Sequence, residues 1–291
     1  MEILSYRVPS EKEGTRLFNL LRNQLNLSRT LLRRLKANDG ILIDGKPCRT
    51  FHLVSEGEVL TLVLPGQQAM EAEELPLEIV YEDDSLILLD KPPGLVVHPT
   101  KGCHRGTLAN GLSHYFLSKG LEGQISPIHR IDRETSGLVL FAKNPLAGER
   151  LSRQLRENKL GREYLAIAVG NVPADAGTIE AGISRLPDHP TARVIDPDGK
   201  PAVTHYEVLQ RFSGLTLLRL RLETGRTHQI RVHLASLGHP LLGDSLYGCR
   251  DGLPRHCLHA STLSFLHPLT GVPLSFHLPL PPDLARLLQP R

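Results

Sequence analysis

The segment Pro127-Ile128-His129-Arg130-Ile131-Asp132-Arg133-Glu134-Thr135-Ser136-Gly137-Leu138-Val139-Leu140-Phe141-Ala142-Lys143 sets a polar cluster directly before an apolar run. The run reads as a buried strand. A loop opening at the edge of a rigid sheet is where catalytic side chains are commonly held. A carboxylate between Arg130 and Arg133 is kept ionised by its neighbours, which makes Asp132 a candidate nucleophile. The same residues suit a plain turn in which Asp132, Thr135 and Ser136 cap backbone groups, so local chemistry leaves both readings open.

The elements that must position this loop are visible as patterns. Tyr164, among Leu165, Ile167 and Val169, sits in a strand with alternating faces. A helix is expected over Thr227–Leu237, with Ile230, Leu234 and Leu237 as its buried stripe, His228 and Arg231 sharing another face, and Gly238 ending it. Near the N-terminus, Leu17, Leu20, Leu21 and Leu25 predict a helix from Gly14 to Leu25. Ser28 is the expected N-cap of a second helix, Arg29–Ala37, which buries Leu31, Leu32 and Leu35 and leaves Arg29, Arg33, Arg34 and Lys36 for solvent or phosphate. Ile41–Ile43, the turn Asp44-Gly45 and Val59–Leu64 add short strands.

Composition narrows the class. The 291 residues are 40% hydrophobic and 22% charged, and their 25 Gly and 22 Pro are dispersed, which excludes a collagen-like or low-complexity chain. No stretch approaches the length of a spanning helix and no secretory signal is evident, so a cytoplasmic protein with no membrane partner is expected. Cys48, Cys103, Cys249 and Cys257 have neither zinc-finger nor disulfide spacing. His228 and His233, five apart, do not share a helix face as a metal-binding pair would; no metal is expected, and these histidines suit hydrogen bonds that fix the helix and contact a bound ligand.

The net charge of +3 is unevenly spread. Residues 1–64 carry net +3, residues 65–90 net −8, and residues 91–291 net +8. Two basic bodies flanking an acidic strip suggest phosphate-backbone binding across a solvated connector. The expected division is therefore a first domain over 1–66, an acidic linker over 67–84 and a second domain over 85–291.

Two resemblances sharpen this. The N-terminal part resembles the S4 RNA-binding domain in its Gly-x-Arg-Leu start, Ser28-Arg29, basic second helix, Ile-Asp-Gly-Lys turn and Glu56-Gly57-Glu58, although Phe18 departs from the acidic residue common there. The motif His-Arg-x-Asp-x-x-Thr-Ser-Gly is similar to the signature of RluA-type pseudouridine synthases. Three further segments match that family in order: Ile87–Pro99, Arg162–Ala166, and Thr224–Ala235 with Gly238–Asp244. The resemblance covers about residues 14 to 283.

It implies a mixed α+β chain: a pseudouridine synthase catalytic domain with a mixed, largely antiparallel central sheet, preceded by a small S4-like α+β domain. It also implies an isomerase that moves uracil from N1 to C5 attachment without a cofactor, acting on ribosomal RNA or, alternatively, transfer RNA, with no obligate protein partner. By this resemblance Asp132 is the carboxylate, Arg231 pairs with it, and Tyr164 stacks on the base and assists proton transfer. Arg130 enters the RNA to favour the flipped uridine, since a base must leave its stack to be reached. His129, Arg226 and His228 join Arg130 as candidate RNA contacts, with Arg29, Arg33, Arg34 and Lys36 in the N-terminal part. A non-catalytic, ribosome-associated RNA-binding protein is the alternative. A carboxylate-using hydrolase would need a second acid, and Glu134 and Asp90 lack a supporting pattern.

Overall fold

Ser28 begins the second helix as its sequence predicts: its hydroxyl accepts from the Leu31 amide at 3.0 Å, and Leu31, Leu32 and Leu35 are buried. The computed structural model describes residues 2–65, 70–100, 102–121, 125–248 and 252–289. Its N-terminal unit pairs β1 (Glu2–Arg7), β2 (Ile41–Ile43), β3 (Lys46–Pro47) and β4 (Val59–Val63) in the order β1-β4-β2-β3. The helix expected from Gly14 to Leu25 is instead a single turn, α1 (Leu17–Asn19), followed by a π-helical segment over Leu20–Gln24, before α2 (Arg29–Ala37). The wider turn bonds the Leu25 amide to the Leu20 carbonyl at 2.9 Å and still buries all four leucines.

The second unit runs β5 (Glu78–Glu82), β6 (Leu86–Lys91), α3 (Leu108–Ser118), β7 (Ser126–Pro127), β8 (Ser136–Ala142), α4 (Pro145–Arg156) and β9 (Gly161–Val169). Then follow β10 (Ala176–Glu180), β11 (Ile183–Arg185), β12 (Arg193–Ile195), β13 (Val203–Phe212) and β14 (Leu215–Leu222). α5 (Gln229–Ser236), β15 (Leu258–Leu266), β16 (Pro273–His277) and α6 (Pro282–Ala285) close the chain. The main sheet is ordered β10-β13-β14-β9-β15-β8-β6-β5, with β16 on β15 and β7 on β8; β11 and β12 form a separate ribbon. Two antiparallel halves meet at one parallel pair, β15 with β8. The loop carrying Asp132 enters β8 at that junction.

β8 is apolar throughout because both its faces are covered. Leu138, Leu140 and Ala142 pack against Ala147 and Leu151 of α4, whereas Val139 and Phe141 pack with Leu108, Ala109 and Leu112 of α3. At the start of β8 only glycine fits: Gly137 has φ +109°, and a Cβ there would lie 2.2 Å from the Ala260 carbonyl oxygen. Lys91, fully buried at the end of β6, donates to the carbonyls of Pro92, Leu95 and Arg133 at 2.8, 2.9 and 2.8 Å, tying the Asp132 loop to the sheet.

The acidic strip departs from the solvated connector expected over 67–84. Residues 66–69 lie outside the described residues, as does Cys249. From Glu71 onward the strip lies on the second unit: Glu71 pairs with Arg105, Glu73 accepts from the Gly106 amide at 2.6 Å, and β5 is the edge strand of the main sheet. The carboxylates satisfy donors at the entry to α3, so their repulsion is spent on local partners. The N-terminal unit also docks on α4. Leu146 joins its core, Glu149 accepts from the Ser28 amide at 2.6 Å, and Arg150 donates to the Leu25 carbonyl at 2.9 Å. Among the described residues, no helix is long and apolar enough to cross a membrane.

Candidate active site

Asp132 stands at the mouth of a cleft of ≈770 Å³ that Arg130, Arg162, Tyr164, His228 and Arg231 also line. Its side chain is 26% exposed, enough to meet a ligand. Arg231 Nη1 donates to Asp132 Oδ2 at 3.3 Å, and His228 Nε2 lies 4.0 Å from the same oxygen. The chain thus brings together two residues 99 positions apart that the sequence assigned to one site.

Arg231 is oriented by a residue the sequence reading passed over. Asp244, fully buried, accepts from Arg231 Nε at 2.7 Å and Nη2 at 2.8 Å, a bidentate pair that fixes the guanidinium plane. The Tyr247 ring lies 5.0 Å beneath that plane. Burial works against the Arg231 charge, but Asp244 and then Asp132 outweigh it and hold the guanidinium above its ordinary range. Burial likewise opposes ionisation of Asp244, and Arg231 overcomes it, holding the carboxyl below the usual carboxylate range. The available signal was Asp244 closing the Gly238–Asp244 segment, but nothing local says that its partner lies 13 residues upstream.

The helix that carries Arg231 differs from the expected Thr227–Leu237. It spans Gln229–Ser236, His228 caps it with left-handed φ 59°, and Leu237 is 43% exposed. Gln229, Ile230, Arg231, Val232, His233 and Leu234 are all buried, so α5 is covered on nearly every side and has no single apolar stripe. Its polar residues are buried because each finds a partner. Gln229 accepts from Thr224 Oγ1 and the Arg226 amide and donates to the Val203 carbonyl, folding the Thr224–His228 loop back on the sheet. His233 Nδ1 meets Thr204 Oγ1 at 2.9 Å; fully buried, it fixes the helix and has no surface to offer RNA. His228 Nδ1 meets the Tyr247 hydroxyl at 2.8 Å.

Tyr164 projects from β9 among Ala260, Ile230 and Leu220. Burial pushes its phenol up, Arg162 opposes the rise in part and Asp132 adds to it, so the hydroxyl keeps its proton at neutral pH. Among the described residues its hydroxyl has no hydrogen-bond partner.

The rim divides. Arg130 and Arg226 are exposed; Arg226 Nε donates to the Pro201 carbonyl at 3.0 Å. His129 corrects the expectation of an RNA contact. It is 7% exposed, accepts from the Leu140 amide at 3.3 Å, and burial, reinforced by Arg162, drives its pKa down to about 3. It is a neutral ring wedged beneath the loop. On α2, Arg29, Arg33 and Lys36 are exposed and Arg34 is half-buried, with the Lys36 ammonium 5.7 Å from the Phe18 ring. No three His, Cys, Asp or Glu side chains converge as metal ligands among the described residues.

A pairing this buried is costly to break from one side. Asp244→Asn removes one charge from the bidentate pair, and we expect a loss of about 3–5 kcal/mol in urea unfolding together with a fall in turnover of about 10²-fold. Wild-type values for both would show that Arg231 is held by something else.

A mixed sheet of two antiparallel halves carries an arginine-paired aspartate at the mouth of a cleft that further arginines line. Residues 85–236 match the family described as RNA pseudouridylate synthase, and the chain belongs to that family: it is an isomerase that converts uridine in RNA to pseudouridine. It is 37% identical over 305 residues to ribosomal large subunit pseudouridine synthase D of Escherichia coli (strain K12), covering 98% of this chain and 93% of the relative. Identity to the RNA pseudouridine synthase YlyB of Bacillus subtilis (strain 168) is 38% over 297 residues, 99% of this chain and 98% of the relative. Among solved structures, human RNA Pseudouridylate Synthase Domain Containing 1 superposes with a TM-score of 0.59 at 27% identity, covering 72% of this chain and 86% of the other.

Proposed function

We propose that this cytoplasmic enzyme modifies uridine in large-subunit ribosomal RNA, with Asp132 as its catalytic carboxylate. The single observation that carries the choice of RNA is the 37% identity to a ribosomal large subunit synthase, which extends through both units and not through the catalytic unit alone. In this reading the uridine is extruded into the cleft and Arg130 occupies the gap in the stack. The bond from C1′ to N1 breaks, the base turns, and C1′ joins C5; the hydrogen on C5 leaves for solvent and N1 gains one. Asp132 presents an anionic oxygen at the sugar–base junction, held by Arg231, which Asp244 in turn orients. Tyr164 packs on the uracil with its hydroxyl toward C5 and takes part in moving that proton. Arg226 and His228 contact the RNA at the rim.

The N-terminal unit acts as an S4-like domain whose Arg29, Arg33, Arg34 and Lys36 contact phosphates. Its docking on α4 supports a fixed spacing between those contacts and Asp132. The test is tritium release from transcripts labelled at uracil C5. Large-subunit ribosomal RNA is expected to release label, and small-subunit and transfer RNA are not. Release from transfer RNA alone would overturn the choice of substrate.

A further inference from the structure

Arg162 lies on β9 two residues before Tyr164, so both side chains leave the same face of the strand and line the cleft. It is 7% exposed, yet its Nε is buried with no hydrogen-bond partner among the described residues. Its guanidinium reaches the Thr224 carbonyl through Nη2 at 3.4 Å, a long contact, and among the described residues it forms no ion pair. Arg231 is the opposite case, with carboxylates on two sides.

A desolvated cation without a counter-ion is expensive, because it gives up water and receives little back. The fold nonetheless makes room for it. A Cβ on Gly225 would lie 2.7 Å from Arg162 Nη1, so the residue facing the guanidinium is one with no side chain. The missing partner is an anionic oxygen, and the cleft opens to a ligand that carries one per nucleotide.

We infer that Arg162 is a phosphate-binding residue that receives a backbone phosphodiester beside the extruded uridine. This rests on the cleft being where uridine is isomerised. A guanidinium fork suits two phosphate oxygens at once, and its position next to Tyr164 registers the sugar–phosphate backbone against the base-stacking ring. The detached uracil also carries an anionic oxygen, and the experiment separates the two sources.

The substrate is a large-subunit ribosomal RNA transcript labelled at uracil C5, with tritium release followed from about 50 to 200 mM salt. For Arg162→Gln we expect KM to rise about 10–100-fold with kcat within about threefold. The slope of log(kcat/KM) against log[salt] should become shallower by about 0.7–0.9, the mark of one lost phosphate contact. Arg162→Lys should restore most of the slope. Gly225→Ala, which keeps the charge but displaces the guanidinium, should raise KM with an unchanged urea midpoint. A fall in kcat with KM and salt slope untouched would transfer the residue to the uracil anion and overturn the proposal, as would wild-type kinetics for both Arg162→Gln and Gly225→Ala. Filter retention of the same RNA reads the slope without turnover. A wild-type enzyme that binds but releases no tritium therefore counts against the choice of RNA, while the binding slopes still decide the role of Arg162.

Discussion

Replacing Asp132 with Asn is expected to lower tritium release from the RNA by at least about 10⁴-fold while leaving the fold and RNA binding nearly intact. Asparagine has the same shape, and its amide oxygen can still accept from Arg231 Nη1, now 3.3 Å from Oδ2. Arg231 keeps its bidentate hold on Asp244, so its buried guanidinium stays paired. The Asp132 side chain is partly exposed, and the loss of its charge should change unfolding stability by no more than about 1 kcal/mol. What disappears is the anionic oxygen itself, for which the amide has no substitute in either nucleophilic or proton-transfer chemistry. Tritium release, urea midpoint and filter binding should be measured on one preparation. Activity within tenfold of wild type would remove Asp132 from the chemistry, whatever its proximity to Arg231.

Acid should unfold the protein steeply, because three histidines are buried in neutral form around the Asp132 loop. His129, His256 and His259 are 7%, 5% and 2% exposed. Burial, joined by neighbouring arginines, drives their pKa values down from 6.5 to about 3, about 4 and about 4. His256 Nε2 meets Thr135 Oγ1 at 2.8 Å and His259 Nδ1 meets Ser136 Oγ at 2.9 Å, so both rings are built into the start of β8.

In the unfolded chain the three titrate near 6.5. Between that value and the native values the unfolded state binds more protons, so stability rises with pH across this window and is lost as pH falls through it. With all three engaged the slope approaches about 4 kcal/mol per pH unit. A domain of ordinary stability, about 5–15 kcal/mol, would then lose much of it between pH 6.5 and 5. The expected record is a urea midpoint nearly flat from pH 8 to 7 and falling sharply below 6.5. His259→Gln should remove about a third of the slope, since one of three equal contributions is gone. A midpoint unchanged from pH 7 to 5 would mean these rings are protonated in the native state.

Some of this molecule could be read locally. The apolar run Leu138–Ala142 identifies a strand covered on both faces, because no half-exposed strand tolerates five such residues in succession. Ser28 marks its helix by supplying an acceptor for a free amide three residues on. The positions of Asp132, Tyr164 and Arg231 came from motif resemblance, which carries long-range information that periodicity lacks. Where periodicity stood alone it failed in specific ways. Leu17 to Leu25 keep a helical spacing that a π turn also satisfies, and the spacing of Ile230, Leu234 and Leu237 marks a stripe on a helix that is in fact covered on nearly every side up to Leu234 and leaves Leu237 exposed.

The sequence by itself determined the polar loop before a buried strand and the amphipathic second helix, since each depends on neighbours within one or two turns of chain, and it carried the family motifs as residue strings. Only the tertiary structure decided that His129 is buried beneath the loop, that Glu78–Glu82 is an edge strand of the main sheet, and that Asp244 is the residue orienting Arg231. It alone set the Arg162 guanidinium beside Gly225 with its buried Nε unpartnered among the described residues. Desolvation and ion pairing depend on what packs against a side chain from distant parts of the chain, and that is set when the two halves of the sheet join at β8 and β15.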